Sequence, residues 1–202
     1  MSLFDDFFRT KEPPKKQIID VREEIMPVIV SLVKDIPLLS HIDTRRIRLY
    51  ATQARTDSKH GSYAKIVPMR FPDGKPSRTK KTHTETIQQI SGPDGDILYL
   101  IYLYVPRFLE VTLEEKMLTL IHELYHISPA CDGTIRKVGR GAHGHSRESF
   151  NNMLKPIVRE YLLHHKPEDI TILLREKYST IEKQYEITYP SLPMPKIRVH
   201  RL

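Results

Sequence analysis

The chain predicts an α+β fold: a small, mainly antiparallel sheet packed on one buried helix, with further helices flanking both. Three observations carry this reading. Short alternating or continuously apolar segments gather between residues 46 and 105. Apolar residues at helical spacing lie on either side of that block, over 18–39, 111–128, 147–164 and 168–185. A length of 202 residues suits one domain.

In chain order, residues 1–16 hold Phe7, Phe8, Pro13, Pro14, Lys15 and Lys16 and read as a flexible arm, followed by a single domain over 17–188. Ile19, Val21, Ile25, Met26, Val28, Ile29, Leu32, Val33 and Ile36 predict one helix over 18–39, bent at Pro27. Residues 46–52 alternate as a strand, and 63–71 form a second in which Pro68 indicates an edge or a bulge. The basic stretch 72–81 reads as a loop, and Gly92 to Gly95 as a turn. Residues 97–105 are apolar on both faces, so this strand should be covered on both sides.

The helix over 111–128 is the most strongly specified. Thr112 and Glu115 make a capping box, and Glu114 and Glu115 place negative charge at the positive end of the helix dipole. Met117, Leu118, Leu120, Ile121, Leu124 and Ile127 predict that it is buried, and Pro129 stops it. A loop over 129–145 follows. Ser146 caps a helix to His164, a further helix covers 168–185, and 189–202 reads as an extended basic tail.

The buried helix carries chemistry. His122 and His126 are four residues apart, so their imidazoles share one face and can grip a single cation. Glu123 reaches past that cation to a water bound on it. This is the H-E-x-x-H pattern of zinc hydrolases: the metal lowers the pKa of its water and the carboxylate removes the proton. A catalytic zinc takes three protein ligands and keeps one position open. The third is sought in the loop after the helix. His145, directly before the Ser146 cap, is preferred; His143 is the alternative, and Asp132 and Glu148 are also near in sequence. Asp132 can accept from a ligand histidine, and Arg136 and Arg140 can bind an oxyanion or a substrate carboxylate. Tyr125 reads as core and Cys131 as a small filler. His41, His60, His83, His164, His165 and His200 read as surface.

Composition bounds the rest. No apolar run approaches a membrane span, the first residues lack a secretory pattern, and one cysteine excludes an internal disulfide, so a reducing cytoplasm is expected. A net charge of +7 and a pI near 9.4 permit contact with nucleic acid. Outside 70–81 the basic residues are scattered in sequence, and a solvated basic surface accounts for them equally well.

Ile121-His-Glu-Leu-Tyr-His-Ile-Ser-Pro129, then Asp132-Gly, Arg136, Gly139-Arg140 and His143-Gly-His-Ser146, resemble the phage metallopeptidase family. That family is similar to the SprT-like zinc peptidases, which include Spartan, a protease of DNA–protein crosslinks. The resemblance covers roughly residues 20–160. It implies a compact zincin-like domain, one zinc ion, and hydrolysis of protein or peptide substrates with Glu123 as general base. SprT-like proteins place the third histidine before a helix, often as His-Gly, which matches His143, whereas His145 fits the helix start. Many also carry a Cys-rich zinc ribbon, which a chain with only Cys131 does not have. The rival reading is a nucleic-acid-associated module, or a protease recruited to DNA, in which the zinc site is mainly structural. Oligomeric state is not legible.

Overall fold

The computed structural model describes residues 16–54, 61–136 and 147–201. Most of the expected N-terminal arm, the Ser146 cap, and His143, His145 and Arg140 fall outside these residues. Strand β1 (Gln17–Asp20) runs straight into helix α1 (Val21–Asp35). Asp20 is the N-cap, accepting from Arg22 N–H at 2.8 Å and Glu23 N–H at 3.1 Å. The helix is therefore shorter than 18–39 at both ends. Its far end stops because Pro37 disfavours helical backbone at Ile36, and Pro37–Leu39 form one 3₁₀ turn. Pro27 is accommodated inside the helix.

Strands β2 (Ile47–Gln53) and β3 (Ala64–Pro68) follow, then a hairpin of β4 (Ser77–Thr79) and β5 (His83–Ile87). The stretch over 72–81 is thus partly strand, because residues 77–79 gain a ladder with β5. A two-residue ladder, β6 (Ser91–Gly92) with β7 (Gly95–Asp96), precedes β8 (Tyr99–Val105). β8 lies at the centre of the main sheet, parallel to β2 and antiparallel to β3. Leu100, Ile101, Tyr102 and Leu103 are buried, as a strand apolar on both faces requires. The expectation of a mainly antiparallel sheet is therefore corrected to a mixed one beside the buried helix. Pro68 closes β3, which is an edge strand; there its missing N–H costs no ladder bond.

Two helices come next, the one-turn α2 (Arg107–Glu110) and the buried α3 (Leu113–Tyr125). Both halves of the Thr112–Glu115 capping box form. α3 lies against β3 and against α4 (Arg147–His164), which carries Pro156.

The single helix expected over 168–185 is not found. α5 (Ile172–Arg175) and α6 (Tyr178–Ile181) are separate turns, and β9 (Tyr185–Thr188) pairs in parallel with β1. The break has a physical cause. In a continuous helix the carbonyls of Leu173 and Glu176 would accept from backbone N–H groups four residues on. Here both accept from the Lys116 ammonium of α3, at 3.0 Å in the case of Leu173. Near the end of the basic stretch over 189–202, strand β10 (Ile197–Arg201) adds to β5.

Candidate metal centre

α3 is held rigidly from start to finish. The capping box fixes its first turn. Its last turn is fixed by the chain that follows. After Ile127 the backbone reverses through Gly133, whose φ of +87° only glycine adopts without strain, and Ile135 bridges back to Ile127. Arg136 then donates its backbone N–H to His126 O at 2.8 Å and its Nε–H to Tyr125 O at 2.8 Å. Its guanidinium also lies 4.4 Å from the centre of the Tyr125 ring. The last carbonyls of the helix are thus closed by a cation, the sign its dipole favours.

His122 and His126 converge on this last turn. Their Nε2 atoms are 3.0 Å apart. His122 Nδ1 lies 3.0 Å from Asn151 Oδ1 on α4, an acceptor that sets the Nδ1–H tautomer and turns the Nε2 lone pair toward His126. Phe150 backs both rings, with centroid distances of 4.8 Å to His122 and 5.8 Å to His126. Glu123 is buried at 9 % exposure, and its Oε2 accepts from Ile66 N–H of β3 at 2.8 Å.

The pair fits a cation. A tetrahedral ion bonded to both imidazoles at about 2.1 Å would hold the nitrogens about 3.4 Å apart. The 3.0 Å observed is close to that. Among the described residues no group of three His, Cys, Asp or Glu side chains converges as a complete ligand set.

The chain matches the family described as "Putative phage metallopeptidase" over residues 19–171. The chain belongs to this family. No curated protein and no solved structure matches it. Membership indicates a metallopeptidase, and the loop residues can be placed against the histidine pair. Asp132 is on the surface, and its carboxylate accepts from Ser128 Oγ at 2.6 Å, Thr134 N–H at 3.1 Å and Thr134 Oγ1 at 2.7 Å. These bonds, the Ser128 bond foremost, hold its carboxyl below the usual range. It shapes the loop, and Asn151 stands as an acceptor at His122. Arg136 braces the helix end and reaches His41 Nε2 at 3.3 Å.

Three histidines read as surface prove half-buried and partnered. His41 meets Arg136, and burial first, then that guanidinium, push its pKa down. His83 lies 3.2 Å from Glu85 Oε1, and His165 lies 3.2 Å from Asp35 Oδ2. Cys131 is a half-buried filler whose Sγ accepts from Asp43 N–H at 3.4 Å; burial raises its pKa.

Sequence reasoning missed Asn151 and the Ile66 N–H. Asn151 stands beside the apolar stripe of Phe150, Leu154 and Val158, where a polar residue looks like ordinary surface. Partners of a ligating histidine tune metal affinity about 10–100-fold. Asn151→Ala should therefore weaken metal binding by about that factor, while Asn151→Asp, which keeps the acceptor, should not. Competition against a chromophoric chelator measures this, and equal affinity in the alanine variant would remove Asn151 from the site.

Proposed function

We propose that the chain is a zinc-dependent endopeptidase. The observation that carries the reading is the convergence of two Nε2 atoms beside a buried carboxylate on one helix turn. His122 and His126 supply two ligands. His145, or His143 in its place, supplies the third. Both lie in residues 137–146, a segment whose neighbours on each side touch the centre: Arg136 bonds to His126, and Phe150 and Asn151 contact His122.

When bound, zinc polarises the scissile carbonyl and acidifies a water. Glu123 takes the water's proton and delivers it to the leaving amine. Its anchor on Ile66 N–H holds the carboxylate against β3. The substrate lies along β3. The other edge of the main sheet, β2, is engaged where Ala51 N–H donates to Pro190 O at 3.2 Å. β3 is the edge that faces Glu123, and an extended peptide can pair with those of its outward backbone groups that Glu123 does not occupy, whatever its sequence.

Elemental analysis of the purified protein should return one zinc per chain. Whichever of His143→Ala and His145→Ala loses that zinc identifies the third ligand. Cleavage of a denatured protein should stop on chelation and return with zinc. A metal-free protein, or cleavage indifferent to chelator, would overturn the proposal.

A further inference from the structure

Two basic segments far apart in sequence meet on one sheet. The hairpin β4–β5 carries Lys75, Arg78, Lys80 and Lys81 in and around it. Strand β10 joins it from the C-terminal end, bringing Lys196, Arg198 and Arg201. All seven side chains are exposed. Against them residues 75–87 and 196–201 hold one carboxylate, Glu85, so six of the chain's net seven positive charges reside here.

The register sorts the residues by face. Thr86 opposes Arg198 and Ser77, and Thr84 opposes His200 and Thr79, so this face carries hydroxyls, a guanidinium and an imidazole. The other face carries Ile87, buried in a small cluster with Phe71 and Tyr102, and toward its open side Ile197, Val199 and, opposite His83, Arg201. There Glu85 binds Arg78 at 2.6 Å, Lys80 at 2.7 Å and His83 at 3.2 Å, and these contacts, Lys80 foremost, bring its pKa down to about 2. The arrangement stiffens the hairpin while Lys81, Arg198 and Arg201 stay off that carboxylate. No Phe, Tyr or Trp lies on the three strands.

We propose that the β10–β5–β4 sheet docks on the phosphate backbone of duplex DNA. Concentrated positive charge selects a polyanion. Arginine, lysine, serine and threonine are the side chains that contact phosphate oxygens, and these populate the sheet. Without Phe, Tyr or Trp it lacks the main platforms for stacking unpaired bases, which favours duplex over single strands. Binding reads backbone rather than sequence. The inference is independent of the metal centre, which uses none of these residues.

The test is fluorescence anisotropy of a short random-sequence duplex with the full chain, titrated from about 50 to 200 mM salt. With four or five phosphates neutralised, log K against log salt should fall with a slope of about −4. The triple variant Lys81→Glu/Arg198→Glu/Arg201→Glu should bind at least about tenfold more weakly with a flatter slope. Its chelator-sensitive cleavage of a small peptide should equal that of the wild type. A wild-type slope flatter than about −2, or a triple variant binding within about twofold of wild type, would overturn the proposal. So would tighter binding of poly-glutamate, of phosphatidylserine vesicles or of a single-stranded oligonucleotide than of the duplex.

Discussion

Glu123→Gln should lower turnover by about 10²–10⁴-fold while leaving metal content and melting temperature unchanged. The amide is isosteric with the carboxylate. Its oxygen can still accept from Ile66 N–H, so the side chain stays where the 2.8 Å bond holds it. What it loses is basicity. The two imidazoles, 3.0 Å apart, are untouched by the change. The measurement is cleavage of a quenched fluorescent peptide by zinc-loaded wild type and variant, with elemental analysis of both. A variant that keeps its metal and cleaves as fast as wild type would show that another group moves the proton.

Lys116→Ala should destabilise the protein by about 3–4 kcal/mol. Lys116 is fully buried on the same helix as the histidines, and its ammonium closes two carbonyls that α5 leaves open. Truncation opens a cavity at a position with no exposure and strips a donor from both carbonyls. The same residue makes stability depend on pH. Burial lowers its pKa from 10.5 to about 8, with Glu110 and Glu176 opposing the shift. Between those values the unfolded chain binds the proton that the folded chain has released, so stability rises with pH across this window. Below it, the folded state carries the full cost of a buried charge. Denaturant unfolding of wild type and Lys116→Met should therefore show the difference moving in favour of wild type from pH 8 to pH 10. A difference constant in pH would mean that the ammonium is not desolvated in the fold.

The comparison of sequence with structure turns on the range of the interactions. α3 was legible because its information is local: a capping box at three residues' spacing, an apolar surface, and two histidines one turn apart. Its last residues were not, since His126 caps the helix and Ile127 leaves it to bridge Ile135. β8 was legible because a strand buried on both faces is apolar at every position. The C-terminal helix was misread for the opposite reason. Residues 168–185 have apolar spacing compatible with a helix, and only Lys116, 57 residues before Leu173, shows where its carbonyls go. Likewise the basic stretch over 70–81 and the basic tail read as two separate segments, and only the pairing of β10 with β5 brings them together.

The amino-acid order alone determined the helix that presents His122, Glu123 and His126, because a helical turn brings residues four apart together whatever surrounds them. Tertiary structure alone decided what holds those groups in place: Asn151 on the first imidazole, Ile66 N–H on the carboxylate, and Arg136 on the helix end. The same is true of the pooling of positive charge on one sheet. Contacts of that kind arise when distant segments are buried against one another, and no periodicity in a single segment encodes its partner.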